Sequence, residues 1–583
     1  MLSALVMSVA FFGQAPLASD ASPSVLTWAE QPGASPNYIF PITPCQYASA
    51  NNTLQFQQLM YRPLYWYGLG RSTALIPSLS LALPPVFSPG DRILNITMKG
   101  WRFADGQVVN AQSAIFFLNL YRANPSAYCD YTPGLSLPDL IANVSAHGNV
   151  LRVALRHGVN PSWLIGNLLS EIVPLPDSWD RTSASSVGSC AHGAYGAPRT
   201  ITACQAVANF LSQQSLMTST FANAMWQSGV DGPWRLISLN AQGTALFRAN
   251  GAYSGTPRPQ FSMLKEIAYD NLGQEVADLS SGRLSVGYLS PSLMGTSGTS
   301  GLSSRYRLTP LPAWGFGLLA LNLTGTGPGS ALVGQLYVRQ ALSQAIDQSA
   351  IVSSVYHGYA SASWSPLPPS TSALAGSPGP NPYPYDPARA RAIFSSHGWQ
   401  VENGVQTCVN PGTGPAQCGQ GVSSGASLTL SLAVANGSVT EADLVRQDVA
   451  DWRAVGVSVT PLTTTFSNAL AACAGASTAD ICLWDGGWSY GADYYPSGEN
   501  LLMPGAYANF SHYRDPRMTQ LIRTSLFSPG SLSAYARYAA AQLPVLYQPQ
   551  AQTIWALSSS LSNPAGPGPS ALGTMTPEFL RPR

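Results

Sequence analysis

The chain has 583 residues, of which 45% are hydrophobic and only 9% are charged. This length exceeds what one hydrophobic core supports, so the sequence predicts an ordered protein of two or more lobes. The net charge is +1 without a basic block, which argues against nucleic acid as a partner, and no apolar run approaches the ~18–20 residues of a membrane-spanning helix.

The low charge has a physical consequence of its own, because typical soluble proteins contain ~25% charged residues. A chain with few carboxylates gains little self-repulsion when acid protonates them, and we therefore hypothesise an acidic extracellular habitat. A GC-rich codon bias would explain why Lys99 and Lys265 are the only lysines. Such a bias would not explain the low total charge.

Residues 1–24 are predicted to be a signal or leader segment. Residues 2–12 form a short apolar run followed by small residues, which is typical of the hydrophobic region and cleavage site of a secretory signal. No basic residue precedes Arg62, so the positive flank of a signal is missing and a buried strand or helix is the alternative. We expect an exported protein at the cell surface or in the periplasmic space.

Helices and strands alternate along the rest of the chain. Helices are predicted to start at Asn110 and at Asp386-Pro387, and to end at Gly398 and Gly456. A further helix is predicted to start at Thr440, which forms a capping-box-like pair with Asp443. Hydrophobic patterning predicts strands at 25–28, 93–103, 285–289, 316–323 and 457–459, and a turn at 231–236 that leads into a further strand. It predicts helices after 110, over 338–346, after 386 and after 440, and a loop at 295–304. This alternation indicates the α/β class.

The eight cysteines are predicted to form disulfides, with free buried thiols as the alternative. No CxxC occurs and no cysteine pair stands at zinc-site spacing to histidines. Eight cysteines allow ~105 connectivities, so pairing by proximity in sequence is only a hypothesis. It would join Cys190 with Cys204, Cys408 with Cys418, and Cys473 with Cys482, leaving Cys45 and Cys129.

Catalytic motifs are missing from the sequence. The six histidines show no HExxH spacing, the GTSGTSG run at 295–301 lacks the GxSxG spacing of a nucleophile elbow, and no phosphate-binding glycine loop follows a strand. Asp480 and Asp485 are best interpreted as solvated or capping acids. We therefore predict no catalytic residue, no metal site and no cofactor, and a protein that is not an enzyme.

Aromatic residues cluster near polar turns in the last third of the chain, at 484–490 (WDGGWSY) and 493–496 (DYYP). A rigid aromatic wall beside a carboxylate is suited to stacking on a ligand and pairing with an ammonium group. A core turn with a satisfied aspartate is the alternative interpretation.

Five sequence blocks, taken in order, resemble the family 5 extracellular solute-binding proteins of ABC importers, the peptide- and nickel-binding group. The resemblance extends over about 25–557. The blocks are GWRFADGQVVNAQSAIFFLNLYR (100–122), DGPWRL (231–236), FRANGAYSG (247–255), VRQALSQAID (338–347) and YDPARARAIFSSHGW (385–399).

This resemblance implies an α/β, two-lobed, type II periplasmic-binding-protein fold, with a ligand cleft between lobes joined by two crossing strands. The first lobe would span 25–312, the second 313–547, and residues 548–583 would return to the first lobe and form the C-terminal tail. It implies a monomer that captures oligopeptides by lobe closure and delivers them to the permease subunits of an ABC transporter.

The ligand contacts that the resemblance implies differ from the family pattern in one spacing. Peptide binders of the family typically carry a tryptophan and an aspartate as W-x-x-D, whereas here two extra residues separate Trp488 from Asp493. We expect Asp493 to pair with the peptide amine and Trp488 to form a wall, with Trp484 and Tyr495 nearby. In the turn at 30–35, Gly33 and Ser35 could border the cleft, although a plain surface turn fits equally.

Four other functions stay open at the level of sequence. The same fold could bind an oligosaccharide, which the many tryptophans and tyrosines would suit, or a metal chelate. From other classes, a secreted hydrolase could use dispersed carboxylates, or a surface sensing or adhesion module could have kept the fold without transport.

Overall fold

Two large β-sheets, each covered by helices, organise the chain into two lobes. The computed structural model describes residues 24–30, 35–269, 271–296, 299–323, 327, 329–369, 377–474, 478–491, 494–564, 570 and 572–583, without the side chains of 466, 467 and 485. The predicted leader at 1–24 thus falls outside these residues, apart from Ser24.

The first sheet has eight strands and mixes parallel and antiparallel pairs. Its central strand, Val25–Ala29, runs parallel to both neighbours, Met263–Ile267 and Val286–Leu289. The spatial order is Tyr306–Pro312, Gln550–Ser558, Val286–Leu289, Val25–Ala29, Met263–Ile267, Ala245–Ala249 and Trp234–Leu239, with Ala360–Ser361 paired to Gln550–Ser558.

A smaller antiparallel sheet forms a subdomain of the first lobe. Its strands are, in order, Val86–Phe87, Ile93–Thr97, Val150–Leu155 and Ile141–His147. Against it packs the helix Ala111–Ala123, whose start is fixed as predicted, because the Asn110 side chain accepts hydrogen bonds from the backbone of Gln112 and Ser113. The helix is buried on nearly all sides, since Pro198–Gln214 covers it as well.

The second sheet has five strands and carries the core of the second lobe. Its order is Ser458–Thr464, Thr429–Ala435, Ile481–Ser489, Gly315–Leu321 and Val545–Gln548. Every residue of Gly315–Leu321 is buried, as the apolar run in the sequence predicts.

Two direct connections join consecutive long strands of the two sheets. The first crossing lies between Pro312 and Gly315, and the second between Gln548 and Gln550. These crossings are the connections that the two-lobed fold requires, so the predicted fold class is confirmed. The exact lobe limits stay a prediction, and Ala360–Ser361 pairs with the first sheet although it falls within 313–547.

The remaining elements are short strands and helices around these sheets. Two-stranded ribbons join Tyr67–Leu69 to Ser72–Leu75, Trp399–Glu402 to Val405–Cys408, and Leu561–Ser562 to Arg581–Pro582. The other α-helices are Gln58–Met60, Leu137–Leu140, Pro161–Trp163, Ala224–Ser228, Leu272–Ser281, Leu302–Arg305, Ser330–Val333, Leu336–Ala345, Gln348–Ser354, Pro387–Ser396, Val439–Ala454, Phe466–Cys473, Glu499–Leu502, Pro516–Phe527 and Leu532–Gln542.

Three predicted boundaries are wrong, each for a local reason. The strand predicted over 93–103 ends at Thr97. Gly100, three residues later, has a positive φ of 73°, which a continuing strand does not adopt. The helix predicted to start near Thr440 begins at Val439, because Ser438 rather than Thr440 caps it through the backbone N–H of Glu441. The loop predicted at 295–304 contains the start of the helix Leu302–Arg305.

All eight cysteines form disulfides, as predicted, and the pairs are those that proximity in sequence suggests. They are Cys45–Cys129, Cys190–Cys204, Cys408–Cys418 and Cys473–Cys482. Among the helices that the structure describes, none has both the length and the apolar character needed to cross a membrane.

Candidate functional site

A cavity of about 550 Å³ lies where the two lobes face each other. Residues from 41–63, 128–130 and 170–173 line it on the side of the first lobe, and residues from 488–510 line it on the side of the second. Clefts of this kind, between lobes and with mixed apolar and polar walls, are the usual position of a small-molecule site.

One wall of the cavity is an irregular helix, Asn51–Gln57, with π-helical hydrogen bonding. Such geometry is rare and often occurs at functional sites. The helix is fixed to the preceding loop, because Asn52 accepts a hydrogen bond from the backbone of Asn37 at 2.8 Å and Gln57 donates to the Thr43 hydroxyl at 3.3 Å. The wall is therefore anchored by its own buried polar side chains.

The disulfide Cys45–Cys129 forms part of the same wall. The backbone N–H of Cys129 also donates to the carbonyl of Thr43 at 3.0 Å. These two links attach the loop that carries Asp130 to the segment before the irregular helix, and so fix the position of this carboxylate in the cavity.

The second lobe contributes an aromatic face. Trp488 is 6% exposed and contacts Trp484 edge to face at 5.7 Å and Tyr490 at 6.0 Å between ring centroids. Phe510 packs edge to face on Trp484 at 5.1 Å. Together with Tyr507, these rings form a rigid apolar surface on one side of the cavity.

A glycine pair places Trp488 on this face. The strand Ile481–Ser489 loses its regular register opposite Phe316, and both Gly486 and Gly487 have positive φ angles. A Cβ on Gly487 would lie 2.5 Å from the carbonyl oxygen of Phe316, so a larger residue does not fit. Irregularities of this kind redirect the side chains that follow them.

The cavity contains two carboxylates, Asp130 and Glu171. Burial raises the pKa of Asp130 to about 6. Burial also raises the pKa of Tyr121 well above its ordinary value, and the nearby charges of Glu171 and Asp130 add to the effect. The described lining residues include no lysine, arginine or histidine, so this wall favours positive charge.

The structure brings together some of the predicted site residues. Trp488 lines the cavity, and Trp484 packs behind it, partly buried. Ser35 is exposed and does not line the cavity. Gly33 and Asp493 lie outside the described residues. The roles given to these residues stay predictions.

Tyr495 is buried at a contact between the lobes rather than in the cavity. Its hydroxyl accepts a hydrogen bond from the Asn160 amide at 3.1 Å. Its backbone forms two hydrogen bonds with Asn167, one from the Tyr495 N–H to Oδ1 at 2.7 Å and one from Nδ2 to the Tyr495 carbonyl at 2.9 Å.

More contacts join the same two segments. The indole N–H of Trp163 donates to Glu499 at 2.8 Å, and the backbone N–H of Asn160 donates to Leu526 at 2.9 Å. Farther along, Tyr67 stacks on Tyr494 at 4.5 Å between ring centroids. Residues 160–167 thus bind 494–526, on the other side of the predicted lobe boundary.

Sequence reasoning missed Asp130, Glu171 and Asn167. Each is a single polar residue without a local motif, and its role depends on segments more than 300 residues away in sequence. The one usable signal was the position of Asp130 directly after a disulfide cysteine.

Comparison with known proteins agrees with this architecture. The sequence model of the bacterial extracellular solute-binding proteins, family 5 middle, matches residues 88–507. No curated protein sequence matches the chain.

Solved structures of several proteins are similar to the whole chain. The oligopeptide-binding protein AppA from Bacillus subtilis, in complex with a nonapeptide, has a TM-score of 0.69 at 15% identity, covering 96% of this chain and 100% of that one. NikZ from Campylobacter jejuni, in complex with Ni(L-His), has a TM-score of 0.67 at 16% identity, covering 96% and 99%. The murein tripeptide binding protein MppA from Escherichia coli has a TM-score of 0.68 at 14% identity, covering 96% and 99%.

At these identities the structural likeness concerns the fold, and the ligands of these proteins differ from one another. The family model, in contrast, covers well over half of the chain in sequence. The resemblance seen in the five sequence blocks is confirmed: this chain belongs to the family 5 bacterial extracellular solute-binding proteins, the solute-capturing components of ABC transporters.

Proposed function

We propose that this protein is exported, captures oligopeptides by closure of its lobes and delivers them to the permease of an ABC transporter. The observation that carries the proposal is the 550 Å³ cavity bounded by both lobes. Its volume falls within the ~300–1,000 Å³ typical of ligand sites. The protein would act as a monomer. Its first lobe would consist of residues 25–312 and 548–583, and its second lobe of residues 313–547.

The walls of the cavity suit a peptide. A peptide presents side chains that need apolar contact and backbone or terminal groups that need polar partners, and the cavity offers aromatic rings opposite carboxylates and amides. Because a ligand between the lobes contacts both of them, it stabilises the closed form over the open form. That difference is what a permease could recognise.

A metal ion bound directly by the protein is less well supported. Within the part of the chain that the structure describes, no group of three or more His, Cys, Asp and Glu side chains could hold a metal ion. A metal chelate carried by a small organic ligand remains an outcome that the experiment below can detect.

We expect the purified protein to release short peptides when it is denatured. Mass spectrometry of the released material, compared with material from the same protein washed under native conditions, would detect them as a ladder of related masses. A single oligosaccharide or chelate mass would contradict the peptide assignment. If the washed protein is empty, thermal-shift screening against a peptide library and a sugar library gives the same comparison.

Asp493 is our sequence-based candidate for the partner of the peptide amine. Asp493→Asn should weaken binding of a free-amine peptide by more than about tenfold, which is ~1.4 kcal/mol. Asp443→Asn, at a partly exposed aspartate of the second lobe paired with Arg446, is the control and should leave affinity unchanged. Equal affinity in both variants would remove Asp493 from the site.

A further inference from the structure

We propose that Asp130 and Glu171, which line the cavity between the lobes, select ligands that carry positive charge, so that the peptides captured are cationic rather than neutral or acidic. This inference rests on the proposed function and specifies the ligand class of the same site. Three features of the cavity support it: the charge of its walls, polar atoms that lack protein partners, and the rigidity of the loop that carries Asp130.

The charge of the cavity is one-sided. Both carboxylates belong to the first lobe, and the cavity residues that the structure describes include no cationic side chain. The chain as a whole is almost neutral, with a net charge of +1. The cavity differs from this average, because its described residues include two acids and no basic residue. For Asp130, a carboxylate partly removed from water without a positive partner is costly, and a ligand ammonium or guanidinium group would supply that partner.

Asp130 differs from the helix-capping acids of this protein, because its carboxylate has no hydrogen-bond or ion-pair partner among the described residues. Acids that cap helices accept backbone hydrogen bonds, as Asp386 does from Arg389 at 2.8 Å. No side chain or backbone group among the described residues donates to the carboxylate of Asp130 or forms an ion pair with it. A structural role therefore does not account for its position in the cavity wall.

Two further polar atoms in the same wall also lack partners. The indole N–H of Trp488, in a side chain only 6% exposed, and the amide oxygen of Gln58 have no hydrogen-bond partner among the described residues. One is a donor and the other an acceptor. Buried polar groups in native proteins are normally paired, and in the cavity a polar ligand could pair with this donor and this acceptor.

The aromatic face supports the same ligand class. Trp488, Tyr490 and Tyr507 line the cavity from the second lobe, across from the carboxylates of the first. Cations are attracted to the faces of such rings, by ~0.5–2 kcal/mol depending on desolvation. A Lys or Arg side chain between the two walls would thus meet carboxylates on one side and aromatic rings on the other.

The loop that carries Asp130 is held rigidly. The preceding Cys129 is linked to Cys45 by a disulfide and to Thr43 by a backbone hydrogen bond. A carboxylate fixed in advance loses little conformational freedom when a ligand binds, and such preorganisation raises affinity and selectivity.

Isothermal titration calorimetry with three matched tripeptides tests the proposal at pH 7.5, above the pKa of about 6 to which burial raises Asp130. Ala-Lys-Ala, Ala-norleucine-Ala and Ala-Glu-Ala have central side chains of roughly similar length but different charge. We expect the lysine peptide to bind at least about tenfold more tightly than the norleucine peptide, and the glutamate peptide to bind most weakly. N-acetylated versions of the same peptides separate the contribution of the terminal amine from that of the side chain.

Variants then assign the selectivity to the two acids. Asp130→Asn and Glu171→Gln keep size and shape, and each should reduce the preference for lysine over norleucine to within about threefold. Asp177→Asn, at an exposed aspartate of the same lobe, is the matched control and should keep the full preference. Circular dichroism and melting temperature confirm that each variant is folded.

The outcomes separate this inference from the proposed function. Equal binding of all three peptides, or an unchanged preference in Asp130→Asn and Glu171→Gln, would overturn the selection of positive charge and leave peptide capture standing. Failure of every peptide to bind, together with release of a sugar or chelate from the purified protein, would overturn both.

Discussion

We expect this protein to be more stable at pH 5 than at pH 9, by at least about 3 kcal/mol in the free energy of unfolding. The physical reason is an unusual set of carboxyl groups inside the protein whose pKa values are raised because burial disfavours the charged form. Those of Glu30, Asp231 and Glu275 are raised to about 8, and those of Glu266, Asp448, Glu499 and Glu578 are raised as well.

The sign follows from proton binding. A carboxyl group whose pKa is higher in the folded protein than in the unfolded chain binds its proton more tightly when folded. Its contribution to stability is complete below the unfolded pKa near 4.5 and is lost as the pH rises through the folded value near 8. Each pKa unit corresponds to ~1.4 kcal/mol. Even if the structure around these carboxyl groups relaxes and reduces their pKa shifts in part, the free energy of unfolding still falls by several kcal/mol.

Glu30 and Glu266 illustrate the cause most directly. Glu30 follows the central strand of the first sheet, and Glu266 lies on the adjacent parallel strand Met263–Ile267. Burial raises the pKa of Glu266, and the neighbouring charge of Glu30 raises it further. Neither oxygen of Glu266, which is 0% exposed, has a hydrogen-bond partner among the described residues. Two carboxylates cannot both ionise here without strong repulsion.

Thermal and urea unfolding at pH 5, 7 and 9 measure the effect, with an expected fall in melting temperature of about 5 °C or more between pH 5 and 9. Glu266→Gln replaces the acid by a neutral group of the same shape, and should reduce the loss of stability between pH 5 and 9. Glu402→Gln, on an exposed hairpin, is the control. A stability that rises from pH 5 to 9, or an identical pH dependence in Glu266→Gln and the native protein, would contradict the argument.

This expectation adds a structural reason to the hypothesis of an acidic habitat. In the sequence, the hypothesis rested on the small number of charged residues. In the structure, many of the few carboxyl groups are buried where protonation favours the folded state. A low external pH would therefore both limit self-repulsion and keep these groups in the form that the interior accepts.

Local features of the fold could be predicted from the sequence because their causes are local. Asn110 and Asp386 cap helices within three residues of themselves, and the apolar run that forms Gly315–Leu321 is buried throughout. The helix beginning at Val439 was misplaced only because Ser438 offered a nearby competing cap. The order of the family blocks then supplied the two-lobed arrangement, which local patterning alone does not determine.

The site could be predicted only in part, because its walls come from distant segments. Trp488 was found because it belongs to a dense aromatic run. Asp130 and Glu171 stand among residues with no repeating pattern, and their proximity depends on the packing of residues 41–63 against 128–130 and 170–173. Tyr495 lies in the same aromatic run as Trp488, yet its backbone and hydroxyl are used at the contact between the lobes.

Asn167→Ala should lower ligand affinity by about tenfold or more, although Asn167 does not line the cavity. Its side chain is 1% exposed and forms two hydrogen bonds across the lobes to the backbone of Tyr495, as well as one to the Ser497 hydroxyl at 3.3 Å. Removing it leaves buried backbone groups of the second lobe unpaired in the closed form, at a cost of ~1–3 kcal/mol. In the open form, water can satisfy the same groups.

The substitution therefore shifts the balance between open and closed forms, and a ligand that binds the closed form loses affinity in proportion. Asn509 provides a matched control, because its side chain clamps backbone in the same manner but within the second lobe. It donates to the carbonyls of Met503 and Tyr513 at 3.1 and 2.9 Å and accepts from the Tyr513 N–H at 2.9 Å. Asn509→Ala should lower the melting temperature without changing closure.

Small-angle X-ray scattering with and without ligand, together with calorimetric affinity, distinguishes the two effects. We expect Asn167→Ala to show a larger radius of gyration than the native protein without ligand, and to need more ligand to become compact. If Asn167→Ala instead behaves like Asn509→Ala, with lower thermal stability but native affinity and dimensions, the contact between 160–167 and 494–526 is permanent. Closure would then have to occur elsewhere, by movement around the crossings at Pro312–Gly315 and Gln548–Gln550 that leaves this contact intact.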